Sequence, residues 1–197
     1  NIKEKLENLS CSVKNIRFRE DEIIRISESC VNLVWRPYFL AFYGFRQYGD
    51  WFDNLGNMLA ILFNIADVKK SELILDFARE VCDDRPHPGK AIYPPIYPRE
   101  REWRDYFKIG NLNLPNHYHN GGIWPFVGRF YIAALVMVGR MEEAKASLEL
   151  LASANHKGRK GKWEFNEWLH GVTGNPMGKE KQAWSAAMYI FAYHCVK

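Results

Sequence analysis

"GIWPFVGRFYIAALVMVG", residues 122–139, is almost continuously apolar, and "RMEEAKASLELLASAN", residues 140–155, follows it with Ala144, Leu148, Leu151 and Ala152 on one face. The first composition suits a helix enclosed by others, the second a helix with one side in water. Gly139-Arg140 between them supplies a tight turn, glycine being a natural helix terminator. The pair predicts an antiparallel hairpin with an inner and an outer helix.

The same unit recurs upstream. "DNLGNMLAILFNIAD", residues 53–67, opens on the cap-competent pair Asp53-Asn54 and carries Leu55, Met58, Leu59, Leu62, Phe63 and Ile65 close to the spacing of a buried stripe. A turn at Val68-Lys69 leads into "KSELILDFAREVC", residues 70–82, with Leu73, Ile74, Phe77, Ala78 and Val81 on one side. Downstream, "KEKQAWSAAMYIFAYHCV", residues 179–196, is apolar nearly all round and is expected to be largely buried. Inner helix, outer helix and long loop in repetition is the pattern of hairpins stacked into an α/α toroid, whose loops share one mouth. The expected fold is therefore all-α, part of an α/α toroid of which about three hairpins are visible, six being the number that the resemblance given below implies for the whole (α/α)6 ring. Residues 32–52 fit less well: aromatic and broken by Pro37, Gly44 and Gly49, they read as a short extended pair near residues 34–46.

Between the first and second hairpins, residues 83–120 hold Pro86, Pro88, Pro94, Pro95, Pro98 and Pro115, a density no helix survives. Loops of this length in a compact domain usually serve a function. A second loop, residues 156–179, carries Trp163, Trp168 and Pro176.

The chain of 197 residues has the size of one domain, and 47% hydrophobic with 25% charged residues places it among globular proteins. Its 7 Trp, 10 Tyr and 12 Phe exceed the needs of a small core, so some are expected to line a cleft. A net charge of +4 is too mild for a nucleic-acid partner, and the basic run His156–Lys162, broken by glycines, reads as a solvated loop. Cys11, Cys30, Cys82 and Cys195 are scattered without a CxxC, which argues against a zinc site and a disulfide framework and suits a reducing cytosol. With no signal peptide and no run of about 18 apolar residues, no membrane partner and a cytoplasmic location are expected.

Two loop segments could carry chemistry. In "KWEFNEWLHGVTGNPMG", residues 162–178, Glu164 and Glu167 sit among Trp163, Phe165 and Trp168. A carboxylate between indoles is partly desolvated, which raises its pKa and suits a general acid or base, although an ordinary surface acid beside stray aromatics would look the same. In "NHYHNGGIWPFVGRFY", residues 116–131, His117 and His119 form an H-x-H with no third ligand at a suitable spacing, so no metal is expected. Gly121-Gly122 lets the backbone approach a ligand, Asn120 offers a donor and an acceptor, and Trp124 a stacking face. Sugars want that combination.

Three segments resemble the alkaline/neutral invertases and, more widely, the six-hairpin toroid glycosidases, including amylo-α-1,6-glucosidases and mannosylglycerate-type hydrolases. They are Asn116 with Tyr118–Pro125, then Trp51–Leu62, then Glu167–Gly171 with Gly174, Gly178-Lys179 and Gln182–Ser185. The resemblance implies an inverting glycosidase needing no cofactor, in which one carboxylic acid protonates the leaving oxygen and a carboxylate activates water on the opposite face. It maps the base onto Glu167. It also implies that His119, Asn120, Trp124, Gln182 and Trp184 line the subsite of the cleaved sugar, and we count Asp53 and Trp163 with them.

This sequence has Leu169-His170 and Phe52-Asp53-Asn54 where the family has Tyr-Asp and Phe-Asp-Thr, which leaves the substrate open between sucrose and an α-1,6-branched or maltooligosaccharide-like glucan end. The family's general acid precedes every segment present here. Six hairpins need roughly 350 residues, so the chain is expected to be the C-terminal half of a larger catalytic domain. Asp53, Glu102, Asp105 and Glu164 are the local candidates for an acid, with a helix cap as the alternative role of Asp53. Other readings are a non-catalytic carbohydrate-binding fragment and a plain helical scaffold. A half-toroid would expose apolar faces of its inner helices, predicting self-association or pairing with a complementary half.

Overall fold

A computed structural model describes residues 36–43, 48–83 and 87–197. Among the described residues there are five α-helices: α1 (Asn54–Leu62), α2 (Val68–Asp83), α3 (Pro125–Met137), α4 (Met141–His156) and α5 (Ala183–Val196). They are joined by short strands, so the chain is not all-α: β1 (Leu40–Tyr43), β2 (Tyr48–Asp53) and β3 (Ile92–Tyr93) form an antiparallel sheet in that order, and β4 (Trp168–Leu169) pairs with β5 (Pro176–Met177). The extended pair lies at residues 40–53, later than the expected 34–46. Of that range, residues 34–35 and 44–46 are outside the described residues, as are Cys11 and Cys30.

Each helix boundary has a local cause. Asp53 caps α1 by accepting a hydrogen bond from Gly56 N. The helix stops at Leu62 rather than running to residue 67 because Asn64 takes a left-handed φ of 56°, and Ile65 N and Ala66 N both turn back onto Ala60 O. Phe63 and Ile65, read as part of the buried stripe, are consequently exposed. Pro125 occupies the first turn of α3, where its missing N–H costs nothing, and Gly139 at φ 83° closes that helix with Arg140 N on Leu135 O.

Helix α3 is central, packing against α1, α4 and α5. Met58, Ile61, Ile74, Leu75, Tyr131, Ile132, Leu135 and Leu151 are almost fully buried in one core cluster. Arg140, at the α3–α4 turn, clamps this core from outside: it donates two 2.6 Å bonds to Glu143 and a 2.9 Å bond to Asp76 of α2. Contrary to expectation, α5 is not largely buried. It packs on α3 and α4 from one side, while Ile190, Phe191 and Trp184 remain exposed.

The ends of the helices that matter for function are tied together by backbone bonds. Asn54 N, at the start of α1, donates to Ala91 O, and Ala91 N donates to Gly122 O. Trp124 N, at the start of α3, donates to Gly89 O, and Gln182 N, at the start of α5, donates to Phe165 O. The N-terminal ends of α1, α3 and α5 thus open onto one mouth, which the long loops surround.

Candidate active site

The segment 116–124 and the segment 165–171 are brought together by main-chain pairing. Ile123 and Leu169 exchange bonds of 2.8 and 2.7 Å, and Gly171 N donates to Asn116 O at 2.8 Å. Glycines allow the contact: a Cβ on Gly122 would lie 2.5 Å from Tyr118 O, and one on Gly171 would collide with Gly121 O. Asn116 and Tyr118 hold positive φ values of 67° and 38°, a conformation that costs free energy and collects at functional loops.

Glu167 sits half-buried at this junction. Its N–H donates to Lys179 O at 2.8 Å, and its Oε2 accepts from Lys179 N at 3.1 Å. Gly178, at φ 67°, makes room for it, since a Cβ there would lie 2.5 Å from Glu167 Oε2 and 2.7 Å from Trp168 Cδ1. Trp168 is buried beneath, its Nε1 without a hydrogen-bond partner among the described residues.

His119 stacks face to face on Trp124, with centroids 5.0 Å apart and planes 2° from parallel. Trp124 is held by its Nε1 donating to Tyr118 O at 3.0 Å. Loss of water around the imidazole lowers the His119 pKa, while the Glu167 charge works the other way. A neutral imidazole therefore faces the carboxylate. Trp184, from α5, meets Trp124 edge-on at 6.1 Å and lies 5.8 Å from the Phe126 ring, and it is 44% exposed. Gln182 is the N-cap position of α5, with no side-chain cap bond.

Other expected site residues are placed elsewhere or engaged internally. Asn120 is buried, and its amide is committed within the protein: Oδ1 accepts from Ile96 N, and Nδ2 donates to Ile96 O and Asn113 O. Its role here is to fasten the long loop, so we remove it from the subsite. The ring contacts of Trp163 are with His156, Phe165 and Tyr189, a cluster distinct from that of Trp124. Asp53 is the cap of α1, with a pKa raised by burial against the opposing bonds from Gly56 and Leu55.

The expected raised pKa for Glu164 is reversed. Arg159 N, Lys160 N and Gly161 N all donate to its carboxylate at 2.7–2.8 Å, holding its pKa below the ordinary carboxylate value. A carboxyl so wrapped is ionised near neutral pH and holds no proton to donate to a leaving group. Asp105 is solvent-exposed beside Lys108 at 3.1 Å, and Glu102 lies in a different hollow. The H-x-H does not converge either: His117 packs against Trp168 and His170, whereas His119 lies on Trp124.

Sequence reasoning passes over two parts of this arrangement. The basic run 156–162 is not a free solvated loop, because Arg159 donates to Gly178 O and Lys157 to Gly174 O, pinning the loop that carries Glu167. His170 accepts from Val172 N and Thr173 N through Nδ1, fixing its ring at the following turn. The spacing Gly158-x-x-Gly161 before Glu164 is the available signal for the first.

Helical hairpins whose loops gather around one mouth define a class of fold, the α/α toroid. A crystal structure of a GH63 mannosylglycerate hydrolase from Thermus thermophilus, in complex with Tris and D-glycerate, matches with a TM-score of 0.60 and 14% identity over 95% of this chain and 42% of that one. Such a likeness speaks for the fold. The chain belongs to the alkaline and neutral invertase family, whose profile matches residues 38–197. It is 34% identical over 147 residues to cytosolic invertase 1 of Oryza sativa subsp. japonica, covering 72% of this chain and 25% of that protein. It is 33% identical over 147 residues to probable alkaline/neutral invertase D of Arabidopsis thaliana, covering 72% and 26%. The chain therefore spans about a quarter of the length of these relatives. Among the described residues, no helix is long and apolar enough to cross a membrane.

Proposed function

We propose that this chain is the base-bearing half of an inverting glycoside hydrolase acting on an α-glucosidic bond of a small saccharide or glucan end. The observation that supports the reading is the exchange of backbone bonds between Ile123 and Leu169, beside which the Glu167 charge acts on His119, itself stacked on Trp124. In this reading the Trp124 and Trp184 rings take the apolar face of the sugar. The Glu167 carboxylate accepts a proton from a water on the face opposite the leaving oxygen. Neutral His119 is suited to hydrogen-bond a hydroxyl without forming an ion pair with the base. Gln182 lies at the entrance of α5 for the same sugar.

The resemblance to the toroid glycosidases implies that the general acid belongs to a complementary half of an (α/α)6 domain, in keeping with the engagement of Glu164 by backbone amides and of Asp53 as a cap. The exposed side of α5 is where such a half, or a second copy, would pack. A cytoplasmic location accords with the name of the rice relative, although neutral/alkaline invertase 1 of the same species is called mitochondrial.

The test is calorimetry of the 197-residue chain with glucose, sucrose and maltooligosaccharides, and product analysis with the same sugars on the chain joined to its complementary half. Sugar binding that Trp184→Ala weakens, with hydrolysis that Glu167→Gln abolishes while binding persists, is the expected result. Hydrolysis retained within tenfold by Glu167→Gln would remove Glu167 as base. Binding without any product would instead favour a carbohydrate-binding fragment, a reading that the lack of a suitable acid among the described carboxylates also supports.

A further inference from the structure

Beside the Pro94–Ile96 segment lie two adjoining hollows of about 250 Å³ and 220 Å³ that share Tyr48, Trp51, Ile96, Arg101 and Glu102 as walls. Neither contains Glu167, His119, Trp124 or Trp184. Their shape is built in. Strand β2 projects Trp51, whose ring meets Phe42 edge-on at 5.7 Å, and Gly49 leaves the space for both: a Cβ there would lie 2.8 Å from Phe42 and 3.0 Å from Trp51. Ile96 is fixed through its backbone N–H and carbonyl, both bonded to the Asn120 amide. The residue read from sequence as a sugar ligand in fact anchors the wall of this second recess.

The polar groups have a particular character. Asp50 is neutralised by Arg36 through bonds of 2.8 and 2.6 Å, and Glu100 accepts from Tyr97 N. Glu102 keeps its carboxylate at the wall, its pairing with Arg101 Nε loose at 3.9 Å. Arg104 lines the second hollow as Glu100 lines the first, so the charges balance overall, and the Arg101 guanidinium beside the Glu102 carboxylate offers planar donors and acceptors. Together with the Trp51 face and the exposed Tyr106 at the rim, they match a neutral polyol with an apolar face.

We propose that this double hollow is a second saccharide site, taking neutral glucan rings, with Trp51 as the stacking platform and Glu102 and Arg101 as hydroxyl partners. It stands apart from the role assigned to Glu167, and the two can fail separately.

The experiment follows the indole N–H signals of the uniformly labelled 197-residue chain by NMR during titration with maltotriose and with glucose 6-phosphate. Maltotriose is expected to move the Trp51 signal. Glu102→Gln and, independently, Tyr106→Ala, both at accessible positions, should weaken that response about fivefold, equivalent to about 1 kcal/mol, and leave the Trp184 response within twofold. A Trp51 signal that maltotriose does not move, or one whose affinity both variants leave within twofold, overturns the proposal. Tighter binding of glucose 6-phosphate than of maltotriose at Trp51 also overturns it, in favour of an anion site made by Arg101 and Arg104. A silent Trp184 beside a responding Trp51 would instead sink the hydrolase reading and leave this site standing.

Discussion

Replacing Gly178 by alanine should injure the site out of proportion to its effect on the fold. Two separate costs follow from the structure. At φ 67° any side chain is in the left-handed region, which costs about 1–2 kcal/mol for a residue with a Cβ. For a chain of this size that is a loss of about 2–8 °C in Tm. The second cost is local: the new methyl would stand 2.5 Å from Glu167 Oε2. Ordinary contact begins near 3.4 Å, so the carboxylate must retreat by roughly 1 Å, a displacement that can reduce a rate on the order of 100-fold. Gly110→Ala separates the two costs, since Gly110 has a similar φ of 62° and nothing within 4 Å of a Cβ. The assay is thermal unfolding of both variants, the hydrolysis rate once each is joined to its complementary half, and the NMR titration of His119, which senses the Glu167 charge. A Tm loss in Gly178→Ala at least as large as in Gly110→Ala, the excess reporting the contact with buried Trp168, with the rate and the His119 titration changed only in Gly178→Ala, is expected. If both variants leave the His119 titration and the rate as in the parent chain, Gly178 is merely a turn and the placement of Glu167 does not depend on it.

Three further outcomes are expected. Glu167→Gln should lower the His119 pKa, because the lost negative charge is what opposes desolvation there; an unchanged titration would mean the two side chains do not share a mouth. His87 is buried, with Nδ1 on Leu150 O at 3.0 Å and Nε2 unpartnered among the described residues, and its pKa is pushed down to about 4. The unfolded chain therefore takes up a proton first as pH falls below about 6.5, and up to about 3 kcal/mol of stability should drain away between there and pH 4, a slope that His87→Gln flattens in urea titrations. Finally, Phe191→Asp on the exposed side of α5 should convert a self-associating chain to a monomer by light scattering, whereas a parent chain already monomeric at high concentration would contradict the idea that this face seeks a cover.

How far the sequence reveals this molecule depends on the range of the interactions involved. Helices α1 to α4 are legible because their stripes are local and their ends are written in single residues: Asp53, Pro125 and Gly139 each act within one turn. Asn64, equally local, ends α1 earlier than the apolar stripe suggests, because the stripe continues past it in Ile65. The exposed side of α5 is illegible in principle, since an all-round apolar helix announces that something covers it but not whether the cover lies in the same chain. The strands at 92–93, 168–169 and 176–177 are two residues each and have no periodicity to detect; they exist only through their pairing, the first with β2 and the other two with each other. The carboxylates make the same point most sharply. Glu164 and Glu167 stand three residues apart among the same aromatics, and composition treats them alike. What separates them is which glycines face them. Gly158 lets the preceding loop curl its N–H groups around Glu164 and quench it as an acid, whereas Gly178 opens a notch in which Glu167 is held by one backbone amide and keeps its second oxygen for chemistry. Assigning a role to a carboxylate in a loop of this kind therefore requires asking first what each nearby glycine makes room for.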